Sequence, residues 1–171
     1  MDRERYPMAA KGIEGFMATQ QDTEQFLIWL KTQIPLLNHM GLGALSYDGR
    51  VLTIPAALEP NINDKGTGFG GSLATLATIS GWCLTTLLLR DHDYDCDVMI
   101  RDCNMSYLAP VKAAFASQVA VPEQPSVDQF LQRLSEKGRA RLALTIQIIC
   151  EGETTLEMRG NYVAIARSAP Q

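Results

Sequence analysis

Charge is missing from the middle of this chain. Between Lys65 and Arg90 there is no Asp, Glu, Lys or Arg. Other shortages bound the answer further. The four cysteines, Cys83, Cys96, Cys103 and Cys150, show no CxxC spacing. The first fifteen residues are charged and lack an apolar h-region, so no export signal is expected. Free thiols and a cytoplasmic location follow from those two readings. Basic excess is absent too: the formal net charge is −4 and no basic stripe is interleaved with aromatics, which argues against nucleic acid as a partner.

Metal ligands are equally thin. His92, Cys96 and Cys103 lack the spacing of a compact zinc site and have no evident fourth ligand. Asp91, Asp93, Asp95 and Asp97, with Asp102 beyond, partly match a calcium loop, but Cys96 stands where a glycine is required and a strand pattern follows. His39, beyond the first helix, has no Ser or Cys motif to work with. No metal or cofactor is expected.

What is present is an ordinary globular composition. Of 171 residues, 46% are hydrophobic, which suits one core and is too much for disorder. The expected layout is a loose arm over residues 1–20 and a single domain over 21–171. No internal repeat or low-complexity segment is visible.

The uncharged stretch has two parts. Asn63-Asp64-Lys65-Gly66-Thr67-Gly68-Phe69-Gly70-Gly71-Ser72 is a Gly-rich loop. From there to Leu89, residues Leu73, Leu76, Ala77, Ser80, Leu84, Leu87 and Leu88 fall at helical spacing, and the opposite face is mostly uncharged as well. A helix apolar on nearly all sides is wrapped by lipid or by protein. Roughly twenty apolar residues can span a bilayer. This run is diluted by Gly, Ser and Thr, has no basic flank and lies between amphipathic strand patterns, so no membrane is expected.

Around it, Asp22 or Thr23 can cap a helix reaching Ile34, with Phe26, Leu27, Leu30 and Ile34 inward and Pro35 as its stop. Trp29 lies off that stripe, at a partner or a pocket mouth. Asp48-Gly49 between two strand-like runs predicts a hairpin with positive φ at both centres. Asp91 to Asp97 reads as an acidic loop. Strands follow over Val98–Leu108 and Ala113–Val121. Ser126 can cap a short helix to Lys137, with Val127, Phe130, Leu131 and Leu134 inward and Gly138 ending it. Arg139–Cys150 alternates cleanly, Glu151-Gly152-Glu153 turns, and Thr154–Ala166 is the last strand. This is an α+β chain whose curved, mainly antiparallel sheet wraps one long helix.

That arrangement resembles the hotdog fold. The residues that carry the resemblance are Asn63-x-x-Gly66-x-x-Phe69-Gly70-Gly71 opening the helix and Ser106-Tyr107-Leu108-Ala109-Pro110-Val111 after it. The first is similar to the Asn-x-x-Gly-x-x-His-Gly-Gly signature of phenylacetate-type acyl-CoA thioesterases, and the form with Phe is more similar to the YiiD-type thioesterase domain. The second resembles the strand end of many hotdog enzymes. The YiiD-type domain often stands behind an acetyltransferase domain, and no acetyl-CoA loop of that kind is seen here.

The resemblance implies hydrolysis of an acyl-CoA or acyl-carrier-protein thioester. The oxyanion would lie at Gly71, with Gly70 beside it, at the helix N-terminus, where free N–H groups meet the positive end of the dipole. Asn63 would hold the attacking water, its other role being an Asx-turn that shapes the loop, and Asp64 is the nearest carboxylate for a base if its side chain turns inward, its other role being a solvated turn residue. Two departures stand out: the motif's His is Phe69, and the acid of the phenylacetate-type helix is Thr78, which can only position a water. Gly66, Phe69, Gly70, Ser72, Thr75 and Trp82 are candidate substrate-binding residues, with Met105 as a further pocket wall. The resemblance also implies a homodimer or a dimer of dimers, with sites completed by the neighbour. The alternative function is a non-catalytic module that binds an acyl chain or supports an assembly. A dehydratase is disfavoured because the loop has no His.

Overall fold

The computed structural model describes residues 20–167. The arm expected over Met1–Gln20 therefore lies, except for Gln20, outside the described residues. Helices α1 (Gln20–Gln33), α2 (Gly70–Asp91) and α3 (Gln124–Lys137) accompany six strands: β1 (Ser46–Tyr47), β2 (Val51–Ala56), β3 (Cys96–Tyr107), β4 (Phe115–Ala120), β5 (Arg139–Cys150) and β6 (Glu153–Ala166). The strands form one antiparallel sheet in the order β1-β2-β4-β5-β6-β3.

The sheet wraps α2, which lies against every strand from β2 to β6. Leu76, Ala77, Cys83 and Leu84 of the helix are fully shielded by Leu52, Ile54, Ile146, Ile148, Leu156 and Met158 among others. Each such leucine contributes about 2 kcal/mol by leaving water. Burial pushes the Cys83 thiol far up from its ordinary proton affinity, which keeps it an inert hydrophobe. Among the described helices α2 alone is long and apolar enough to cross a membrane, and 67% of that window is buried inside the fold. Its buried Ser80 bonds the Leu76 carbonyl and the Ser117 hydroxyl of β4, so the core carries no unpaired group there.

Several boundaries differ from the sequence reading, each for a local reason. Helix α1 is already formed at Gln20, so neither Asp22 nor Thr23 is its cap. Ile34 falls outside it, at φ −126° and ψ 86°, because the residue before Pro35 is driven from the helical region. At the hairpin only Gly49 has positive φ. Asp48 organises that turn with its side chain, whose Oδ1 accepts from the Arg50 and Val51 N–H groups at 2.8 and 2.7 Å.

The acidic loop is shorter than expected. Cys96 and Asp97 already pair with Ala166 and Ile165 in the sheet. Arg167 holds Asp97 at 2.6 Å and Asp95 at 3.2 Å, which offsets their repulsion. Strand β4 starts at Phe115, and β6 takes in Glu153. Helix α3 begins at Gln124, with Pro125 accommodated in the first turn, so Ser126 is not its cap. Gly138 ends it at φ 64°, donating to the Leu134 carbonyl.

Candidate active site

The loop before α2 is tied down at both ends. Buried Asn61 donates from Nδ2 to the Met40 and Ala57 carbonyls at 2.8 and 2.7 Å, and its own carbonyl accepts the Phe69 N–H at 2.6 Å. Gly68 donates to the Val111 carbonyl at 2.8 Å, which docks the loop beside the connection after β3. Gly66 turns the chain at φ 72°, a conformation that glycine adopts without strain.

Asn63 is the hub of the loop. Its Oδ1 accepts from the N–H groups of Lys65 and Thr67 at 2.9 and 3.2 Å. Its Nδ2 donates to Thr67 Oγ1 at 3.0 Å, and only at 3.5 Å toward the Gly68 carbonyl. Asp64 points outward and pairs with Lys65 at 3.0 Å. Its side chain is 79% exposed.

The loop delivers Phe69 to the N-cap of α2 with no side-chain cap. Helix geometry then leaves the N–H groups of Gly70, Gly71 and Ser72 without intrahelical acceptors. The exposed Phe69 ring lies against Gly71, where a Cβ would overlap it. The Tyr107 hydroxyl, from the end of β3, donates to the Gly70 carbonyl at 3.0 Å.

Gly71, Thr75, Thr78 and Trp82 follow one another at i, i+4, i+7 and i+11, so they share one face of α2. Thr75 donates back to the Gly71 carbonyl at 2.9 Å. Thr78 Oγ1 faces the Met158 sulfur at 3.9 Å, about 10 Å along the axis from Gly71. Trp82 lies about 16 Å along it. Its indole N–H donates to the Val98 carbonyl of β3 at 2.8 Å, and its ring stacks on Phe26 and Trp29, each at 6.3 Å. The Arg90 guanidinium covers Phe26 at 5.0 Å. The structure thus brings Asn63, Gly66, Phe69, Gly70, Gly71, Ser72 and Thr75 together at one end of the helix, and sets Thr78 and Trp82 progressively further down it. Trp29 belongs to this aromatic stack.

Sequence reasoning passed over Asn61 and gave Tyr107 no role in the site. Tyr107 stands in the strand-end motif Ser106–Val111, so its signal is present in the sequence. Nothing in the pattern shows that Asn61 is buried.

A helix wrapped by a six-stranded antiparallel sheet, with an uncapped glycine pair at its start, defines the protein as one of the hotdog fold. Residues 23–166 match the family model described as "Putative thioesterase (yiiD_Cterm)", and the chain belongs to that family of thioester hydrolases. Among solved structures, a Chlorobaculum tepidum protein of unknown function is 30% identical, with 86% of this chain and 94% of that one covered at a TM-score of 0.78. A "putative thioesterase" from Shewanella oneidensis is 31% identical, covering 85% and 99% at 0.74. A Pseudomonas aeruginosa protein at 17% identity covers 90% and 99% at 0.72 and shows the shared fold.

Proposed function

We propose that the chain hydrolyses the thioester of an acyl-CoA or acyl-carrier protein at the first turn of α2. The observation that carries this is the uncapped Gly70-Gly71 start of a buried helix. The thioester oxygen accepts from the Gly71 N–H, with Gly70 as a second donor, where backbone dipoles add a positive field. Negative charge grows on that oxygen during attack, so donors fixed in advance favour the transition state over the substrate.

Asn63 orients the water. One Nδ2 hydrogen is committed to Thr67, while the bond toward Gly68 is long at 3.5 Å and is the one exchanged for the water oxygen. Asp64 is the only carboxylate of the loop and accepts the water proton once its side chain leaves Lys65. The water oxygen bonds to the acyl carbon, the C–S bond breaks, and the proton taken up by Asp64 passes to the departing sulfur, so that a free acid and a thiol leave. The acyl chain runs along the half-buried face of α2 through Thr75 and Thr78 toward Trp82, with Phe69 at the mouth.

Strand β3 supports a second copy. It ends the sheet order, no strand among the described residues pairs with its outer edge, and Met99 is exposed. Pairing of two β3 edges gives a homodimer, or half of a dimer of dimers, with each site beside the neighbour's strand.

Thiol release from a panel of short, long and aryl acyl-CoAs tests the reading. Turnover is expected with at least one member. Asn63→Ala and Asp64→Asn should each lower kcat by about 100-fold, the scale of a lost water-orienting or basic group. Unchanged rates in both variants refute these residue roles. Acyl-CoA that protects the protein against heat without being hydrolysed favours a binding module.

A further inference from the structure

We propose that Tyr107 is a positioning residue that fixes and polarises the peptide supplying the Gly71 N–H. This rests on the oxyanion reading above and deepens it. The Tyr107 hydroxyl donates to the Gly70 carbonyl oxygen at 3.0 Å. That oxygen and the Gly71 N–H belong to one planar peptide unit. A donor on the oxygen draws electron density from the nitrogen, so the N–H on the opposite edge becomes a stronger donor. Such chains strengthen each bond by roughly 10–30%.

The same contact holds the peptide plane in place. Gly70 and Gly71 are the two least restricted residues with which a helix can begin. A loose plane would lose alignment with the developing oxyanion, whereas one pinned from the sheet keeps it. Tyr107 is well suited to pin it, because its own backbone pairs with Leu156 of β6 and the next N–H, of Leu108, donates to the Thr155 carbonyl at 2.8 Å. The tyrosine ring also lies close on the glycine: a Cβ on Gly70 would stand 3.3 Å from the ring carbon Cε1. Glycine at 70 leaves room for the ring to lie this close to the helix backbone.

Stability does not account for the arrangement. Tyr107 is 56% exposed, so its hydroxyl needs no protein partner, and the Gly70 carbonyl already accepts the helix-ladder bond. The tyrosine occupies the second lone pair of an oxygen that is otherwise satisfied.

A double-mutant cycle with Tyr107→Phe and Gly71→Pro tests this on an acyl-CoA that the wild type hydrolyses. Proline at the second helical residue removes the donor, and α3 already carries Pro125 at that position. The exposed Phe69 ring is free to swing aside. Gly71→Pro should lower kcat about 100-fold, the scale of one lost oxyanion donor. Tyr107→Phe should lower kcat about 5-fold with KM and melting temperature unchanged, the scale of one neutral hydrogen bond. In the Gly71→Pro background Tyr107→Phe should cost nothing further.

An equal loss in both backgrounds, or no loss in either, overturns the role of Tyr107 and leaves the oxyanion reading standing on the Gly71→Pro result. Full activity in Gly71→Pro overturns the oxyanion reading and the proposal together. The amide proton shift of Gly71 gives an independent readout in folded Tyr107→Phe. An upfield move supports the polarised peptide, and an unmoved signal refutes it.

Discussion

Two tyrosines close onto the same helix in the same way. Tyr107 lies on Gly70 and donates to its carbonyl at 3.0 Å, while Tyr162 lies on Gly81 and donates to the Thr78 carbonyl at 2.8 Å. In both places an aromatic ring lies on a glycine of the helix, at Gly81 so closely that a Cβ would overlap it. The difference is burial. Tyr162 of β6 is 0% exposed and sits in the core, and burial drives its phenol well above its ordinary proton affinity. Tyr107 stands in water at the end where α2 keeps free donors. One device therefore stands in two settings along one helix: at the middle of α2 it fills the core, and at the first turn it bonds a peptide at the exposed end.

The comparison breaks most visibly with truncation. Tyr162→Ala removes a fully buried ring and its hydrogen bond, and should lower stability by about 4 kcal/mol in denaturant unfolding. Tyr107→Ala should change it by less than about 0.5 kcal/mol. Gly81→Ala comes next: the added methyl would overlap the Tyr162 ring, and such overpacking costs about 2 kcal/mol.

A smaller loss than at Tyr162 or Gly81 lies at the C-terminal end of α2. There Asp91 is half-buried, its Oδ2 accepts from the Tyr47 hydroxyl at 3.1 Å, and its Oδ1 is buried with no partner among the described residues. Burial raises its pKa to about 6, against a partial lowering by the Tyr47 bond. A carboxyl whose folded pKa exceeds its unfolded value costs stability as it ionises. That cost is absent below about pH 3, grows as pH rises through the folded pKa and is complete above about pH 7, and partial exposure reduces it to about 1 kcal/mol. Asp91→Asn should flatten the fall in melting temperature between those pH values. A parallel fall in both proteins would show that Asp91 is not its source.

The sequence revealed what depends on periodicity. Alternation at Leu142, Leu144, Ile146 and Ile148 placed β5 at Arg139–Cys150, and the charge-free run placed α2. Features that depend on distant partners were not legible. Asp97 is a strand residue paired with Ile165 of β6, and the Arg167 that bonds its carboxylate comes from the far end of the domain. Trp82 is held by Phe26 and Trp29, which its own helix does not announce. At the site, the glycine pair and Asn63 could be named from their motif. The bonds that commit Asn63 to Thr67, and the tyrosine behind Gly70, come from the folded chain.

The most direct test of the contrast between the two tyrosines is to measure kcat and melting temperature together for Tyr107→Phe and Tyr162→Phe. The account predicts a crossed result. Tyr107→Phe should lose turnover while keeping the melting temperature of the wild type. Tyr162→Phe should melt earlier, by the scale of one hydrogen bond of about 1 kcal/mol, while its folded fraction keeps full kcat. If both variants lose stability alone, or both lose turnover alone, burial does not separate the two tyrosines and the account is wrong.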